Sequence, residues 1–276
     1  MKKVFLFILL TSCIISLSAQ VKYTEAEKNG LRGPVKTVRI ITTATDFRGL
    51  LDTLFVERIE EYRKDGQLVM TRNIRKKTDR FPSGHVVSTF DENGLRTQRE
   101  SFIEDKETGV AKKTGITFFT YDEQKRLKKE TQCDSLGSVI QHSDTYSYPN
   151  KDTMIQDTYS KSTGTYTITS KLDKWGNEIK RTRKDLLNRE YKYDDKGQVV
   201  SWVNKEKDGS KFIAEYEYNK EGDQIREATK NYKGNTTNSE HTFEYDEHGS
   251  WIKKTKILKN GPYRMSEYRI IEYYND

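Results

Sequence analysis

One short motif returns nine times along this chain: an extended run closes on an aromatic or aliphatic residue, and in most copies Asp-x-x-Gly follows at once. The clear copies stand at Tyr62 (YRKDG), Phe90 (FDENG), Tyr193 (YDDKG), Tyr218 (YNKEG) and Tyr245 (YDEHG). Looser copies stand at Tyr121 (YDEQK), Tyr148 (YPNKD), Leu172 (LDKWG) and Tyr274 (YND). Successive anchors lie 21 to 31 residues apart, a period that signals tandem supersecondary units.

The copy at Tyr245 shows how one unit works. In HTFEY, His241, Phe243 and Tyr245 point one way and Thr242 and Glu244 the other, the period of a strand with one drier face. Asp246 then opens a type I turn, where its carboxylate accepts a backbone N–H two residues on. Gly249 takes the position that needs positive φ before the next strand begins. By the same logic Asp91, Gly94, Asp194, Gly197 and Gly222 are structural turn residues. Lys125 and Asp152 replace the glycine in two copies, and a wider loop is expected at Lys125 because lysine adopts a left-handed backbone poorly. Second turns at Lys207–Ser210, Tyr232–Asn235 and Lys259–Pro262 complete the units, so each is two strands and two turns.

Charged and hydrophobic residues are each 33% of the chain, a balance that drifts toward disorder. Against it, aromatics reach 11% and fall in register, while proline occurs only 4 times in 276 residues. The expected fold is all-β: an elongated antiparallel meander of tandem hairpins that buries aromatic stripes between neighbours and needs no large central core.

Residues 1–19 read as a secretory signal peptide. Lys2 and Lys3 precede an apolar run from Val4 to Ile15, and Ser16 to Ala19 form a small-residue end with cleavage expected after Ala19. A second reading takes Leu10-Thr11-Ser12-Cys13 as a lipobox with a lipid anchor on Cys13, although Ile14 and Ile15 continue the apolar run where lipoproteins turn polar. Cleavage removes Lys2, Lys3 and Cys13. The mature chain then has 47 basic against 42 acidic residues, and Cys133 is its one thiol, expected to pack under a hairpin. No spanning helix is expected in the mature chain. Residues 20–33 form a lead in which Thr24 and Glu27 fit a capping box and Asn29-Gly30 stop a short helix. Residues 34–276 read as one hairpin-repeat domain of about nine copies.

These copies resemble the YD repeats of the RHS type, most closely at Tyr193–Gly197 and Tyr245–Gly249, each with a second aromatic two residues earlier at Tyr191 and Phe243. The resemblance runs from about residue 50 to the end. It implies an exported or surface protein built from hairpins; in large family members, dozens of repeats wind into a hollow shell around a toxic cargo. This chain departs from that pattern. The family's Arg-Leu pair survives only as Arg126-Leu127, nine copies are too few to enclose a cargo, and no effector domain is expected after Tyr274.

Little in the sequence points to catalysis. His85, His142, His241 and His248 form no zinc-protease motif, and hydrolase, Walker and dinucleotide signatures are absent. The recurrent Asp-x-x-Gly fits neither an EF-hand nor a calcium-binding nonapeptide, so no metal or cofactor is expected. Lysines alternate with glutamates rather than forming a basic stripe, which argues against nucleic acid and suits a solvated sheet face. Binding remains. Trp175 sits in a turn where sister copies carry Lys196 and His248, and Trp202 aligns with Lys254, so both are candidate binding residues; Trp251 aligns with Val199 and reads as core. The expected function is a non-catalytic scaffold or protein-binding surface in the envelope or outside the cell (periplasm, outer-membrane surface or beyond). The alternative is a glycan-binding module, with exposed aromatics on a concave face favouring polysaccharide as the partner.

Overall fold

A computed structural model describes residues 24–45, 51–75, 81–184, 187–259 and 264–275. The segment expected to be a signal peptide, Cys13 and residues 20–23 of the lead lie outside them. Eighteen strands are found among the described residues. The first nine are β1 (Val35–Thr45), β2 (Leu51–Tyr62), β3 (Leu68–Ile74), β4 (Gly84–Phe90), β5 (Arg96–Glu104), β6 (Ala111–Tyr121), β7 (Leu127–Cys133), β8 (Ile140–Asn150) and β9 (Thr153–Ser160). There follow β10 (Gly164–Leu172), β11 (Glu178–Arg183), β12 (Leu187–Tyr193), β13 (Val199–Lys205), β14 (Lys211–Tyr218), β15 (Gln224–Lys230), β16 (Thr236–Tyr245), β17 (Trp251–Leu258) and β18 (Arg264–Tyr273).

Each strand pairs antiparallel with its neighbour in sequence, and β1 pairs with both β2 and β18, from Val35↔Tyr273 to Thr45↔Arg264. The sheet is therefore a closed barrel, and the expected elongated meander is corrected. The local units are as expected; what differs is that the two ends of the array meet. An open array would leave the outer edges of β1 and β18 with unpaired N–H and C=O groups, and closure satisfies both.

Each even-numbered strand ends within two residues of an anchor, so nine copies give the eighteen strands. Seven of the hairpins that follow carry the same bulge just before the anchor, at Tyr62, Phe90, Tyr121, Leu172, Tyr193, Tyr218 and Tyr245. In the turns, Gly94, Gly197, Gly222 and Gly249 have φ of 75°, 81°, 89° and 79°. Asp91 Oδ1 accepts the N–H groups of Asn93 and Leu95 at 2.9 and 2.8 Å, and Asp194 and Asp246 do the same for the residues two and four positions on. Asn219 fills that place before Gly222.

The wider loop expected at Lys125 is not formed. Lys125 adopts φ 59° and the turn closes as in its sisters, with Lys125 N–H on the Asp122 carbonyl at 2.9 Å. The flanking bonds, including the Asp122–Arg126 ion pair at 2.7 Å, hold the lysine in a conformation it would not choose. At Asp152 the turn shortens instead, with Asn150 paired directly to Thr153. The ninth anchor also moves by one residue: Tyr273, not Tyr274, occupies the anchor register, and Tyr274 Oη donates to the Tyr62 carbonyl at 2.7 Å across the seam. Cys133 is a free, buried thiol.

Gly197→Val and Gly249→Val should each lower stability by more than about 1 kcal/mol, because a β-branched side chain pays for positive φ. Lys125→Gly should raise it by up to about 1 kcal/mol. Urea midpoints of the purified variants test this; equal midpoints for wild type and both valine variants would show that the turns are not under this constraint.

Candidate functional site

The turns that follow the anchors lie at one end of the barrel, because each joins an even strand to the next odd one. The same turn chemistry at Asp134–Gly137 joins β7 to β8 at the other end. At the anchor rim the tyrosines reach sideways. Tyr121, Tyr148, Tyr193 and Tyr218 donate their hydroxyls to the carbonyls of Arg96, Leu127, Glu178 and Val199 at 2.8–3.0 Å, each the first residue of the preceding strand. Tyr245 and Tyr273 reach the carboxylates of Asp223 and Asp246 instead, at 2.9 and 2.5 Å. Each bond ties one turn to the turn before it. Burial of the phenol pushes Tyr193, Tyr218, Tyr245 and Tyr273 up to about 12.

The lead decides which face is the inside. Helix α1 (Glu25–Lys28) carries the expected capping box, with Glu27 N–H on Thr24 Oγ1 at 3.1 Å and Thr24 N–H on Glu27 Oε2 at 2.7 Å. From there the lead touches turns far apart on the rim. Ala26 N–H reaches Gly66 O, Arg96 pairs with Glu25 at 2.8 Å, Arg32 donates to Glu221 O at 2.7 Å, and Arg32 N–H meets Ser250 Oγ at 2.7 Å. At about 4.8 Å per strand, the wall from β14 through the seam to β5 runs about 43 Å. Residues 25–32, the first four of them helical, span at most about 19 Å, and the Glu25, Arg96 and Arg32 side chains that complete the bridge leave it short of that arc. They bridge that arc as a chord, so they lie on the concave side, and the anchor face is the lumen. Ala26 and Leu31 pack there on Val35, Val38, Ile40 and Tyr62, the main apolar cluster.

Alternation then sorts the wall. Inward, with the anchors, lie His241, Phe243, Trp251, Lys254, Glu267 and Arg269 near the seam, and Tyr166, Asp144, Gln156 and Thr158 opposite. Outward lie rows of cross-strand ion pairs: Lys36–Glu272 at 2.7 Å, Arg226–Glu217 at 2.7 Å, Lys253–Glu244 at 2.6 Å and Lys259–Glu240 at 2.6 Å.

Between the lead and the wall from β13 to β18 is a cavity of about 710 Å³. Its lining includes Gln198, Tyr218, Phe243, Trp251, Lys254 and Arg269. Arg269 is 8% exposed and sits over the Trp251 ring, 3.1 Å from its centroid, with Nη2 donating to the Asn29 carbonyl at 2.8 Å. Its Nε and Nη1 are buried without a partner, as is Gln198 Oε1. Burial pulls the charges of Arg269 and Lys254 toward lower pKa, Arg269 to about 10.

Neither candidate tryptophan lines this cavity, and the two differ in environment. Trp175 stands on the rim, 47% exposed, with its N–H on Asp173 Oδ1 at 2.8 Å and Lys174 Nζ 4.6 Å from its ring. Trp202 is half-buried on the lumen wall toward the other end, stacked on Phe212 at 5.0 Å, with Nε1–H on Tyr216 Oη at 3.0 Å and Arg189 over its other side at 4.5 Å. The alignment of Trp202 with Lys254 suggests exposure; both residues point inward. Trp251 is buried. The cavity residues Arg269, Lys254 and Gln198 belong to no sequence motif. Counting in twos from Tyr273 places Arg269 on the anchor face, a signal that the strand period alone carries.

No protein-family model matches the chain, and no curated protein matches its sequence. Among solved structures, similarity is found to a porin-like protein from Bacteroides uniformis, at 11% identity over 87% of this chain and 99% of that one, with a TM-score of 0.35. A porin-like protein from Bacteroides vulgatus matches at 11% identity over 88% and 99%, TM-score 0.35. The TcdB2–TccC3 structure matches at 11% identity over 79% of this chain and 14% of that one, TM-score 0.36.

Stability tied to the buried phenols should be fully present below the unfolded tyrosine pKa near 10 and be lost as pH rises through about 12, since their folded pKa is raised. Absorbance at 295 nm should show a tyrosine subset ionising late, together with a falling urea midpoint. A single titration near pH 10 with an intact barrel would overturn it. Trp202→Ala should cost about 2–3 kcal/mol and Trp175→Ala less than about 0.5 kcal/mol in urea unfolding, the reverse order being the failing result.

Proposed function

We propose that this chain is an exported, non-catalytic binding protein of the cell envelope or surface, whose barrel stands in water and takes its ligand in the lumen. The observation that carries the reading is the polarity of the wall. A membrane-spanning barrel turns an apolar band outward and keeps polar groups inside. Here the outward wall holds ion pairs at mid-strand, Arg39–Glu57 between β1 and β2 and Lys180–Glu190 between β11 and β12, while the rings of Tyr193, Tyr218, Phe243 and Trp202 turn inward. Charges placed mid-wall against hydrocarbon cost about 2–4 kcal/mol each, whereas in water the same pairs are solvated and keep adjacent barrels from stacking.

Export is supported by the sequence of residues 1–19, and a YD-type ancestry by the coincidence of nine anchors with nine pairs of strands. The glycan reading gains from where the aromatics lie. Trp202 and Phe212 share the concave wall with Arg189 and Asn204, and Tyr232 meets them from the turn between β15 and β16, rings beside hydrogen-bonding groups, as sugar recognition requires.

Residues 20–276 should purify as a monodisperse, β-rich protein without detergent and should float poorly with phosphatidylethanolamine–phosphatidylglycerol vesicles. A chain that stays folded only in detergent, or that inserts into those vesicles, would overturn the water-standing barrel.

A further inference from the structure

We propose that the cavity under the lead binds the uronic acid unit of an acidic glycan, its carboxylate received by Arg269 and Lys254 and a ring hydroxyl by Gln198. The proposal rests on the lumen-binding reading above and names its ligand class.

Two unpaired groups of opposite kind carry the argument. Arg269 is 8% exposed and satisfies only Nη2, on Asn29 O; its Nε and Nη1 are buried donors with no acceptor. Gln198 is fixed by donating Nε2–H to the Gly222 carbonyl at 2.8 Å, which leaves its Oε1 a buried acceptor with no donor. Both line the same cavity of about 710 Å³. Buried polar groups are seldom left unpaired, and those that are often mark a missing partner.

The partner must supply an acceptor for a guanidinium and a donor for an amide oxygen. Sulfate meets the first demand and fails the second; inorganic phosphate keeps a P–O–H donor near neutral pH, and differs from a sugar acid in offering no apolar face to Phe243 and Tyr218. A neutral sugar meets the second and leaves the guanidinium without a charged acceptor. A sugar acid meets both, because it carries a carboxylate and hydroxyls on one ring. Lys254 adds a second cation. It faces Glu267 across β17 and β18, and no ion pair closes between them among the described residues. Phe243 and Tyr218 border the space with aromatic surface suited to the apolar face of a sugar ring. Glu27, Glu221, Asp223 and Glu267 also line the cavity and limit its net positive charge; they favour a monoanionic unit with hydroxyls to donate over a densely charged polyanion.

The test uses residues 20–276 and calorimetry, with tryptophan fluorescence reporting on Trp251. The probes are galacturonate, glucuronate and mannuronate trimers, galactose trimer as the neutral match, and inorganic phosphate. At least one uronate trimer should bind ten-fold or more tighter than both galactose trimer and phosphate. Arg269→Gln and Lys254→Met should each weaken that trimer by ten-fold or more and leave any neutral-trimer binding unmoved. Arg269 also holds the lead, so Lys254→Met is the decisive variant, its urea midpoint expected within error of wild type. Equal binding of neutral and acidic trimers, phosphate matching the best trimer, or Lys254→Met without effect would each overturn the assignment. So would no binding by a soluble, folded barrel. Insertion into vesicles would instead sink the lumen-binding reading itself, so the two failures are told apart.

Discussion

Closure of β1 onto β18 is the constraint on which the rest of this barrel depends. Pairing from Val35↔Tyr273 to Thr45↔Arg264 removes both free edges of the sheet and gives the wall a concave and a convex side. Once those sides exist, the period of two decides the chemistry of each. Tyr, Phe and Trp at the anchor parity are enclosed, and Glu and Lys at the other parity meet water. A one-residue slip at the seam would exchange the two faces. Several contacts pin that register: the bulge between Val35 and Thr37, the bond from Tyr274 Oη to the Tyr62 carbonyl, and Tyr274 N–H on Pro34 O at 2.7 Å.

The rim bonds of the anchor tyrosines extend the same constraint around the ring. The backbone ladder holds strands side by side, but hairpin turns project beyond it and would otherwise move independently. Each phenol that reaches back to the head of the preceding strand couples one turn to the next. Where the anchor is Phe90 no hydroxyl is available, and the ring is instead flanked by Arg63 and Arg96, 5.3 and 5.4 Å from its centroid. Where the anchor is Tyr62, the lead intervenes, and its hydroxyl bonds Glu60 and Asn29. The lead thus takes part in the rim network and partly covers this mouth.

That cover holds charged inward residues of the wall, Glu60, Asp223 and Arg269 among them, away from water. Asn29 takes a single donor from Arg269, and Gly30 passes so close to Asp223 and Trp251 that a Cβ there would fall within 2.7 Å of both. A loop seated this tightly shapes a cavity without filling it, and leaves a guanidinium and an amide oxygen short of partners.

The sequence by itself determined the repeat, its two strands, the turn chemistry and the capping box, since each depends on residues a few positions apart. Asp246 bonding the N–H groups of His248 and Ser250 is local, and so is Gly249 at φ 79°. It also determined that Trp175 would stand at a turn and Trp251 in a wall. Only the tertiary structure decided that the array closes, because closure depends on twist accumulated over eighteen strands and on the match of β1 to a partner more than two hundred residues away. The same long-range geometry held Lys125 in a left-handed turn, moved the ninth anchor from Tyr274 to Tyr273, and turned Trp202 and Lys254 inward. It also brought Asn29, Gln198 and Arg269 around one cavity, a meeting of residues that no spacing along the chain encodes.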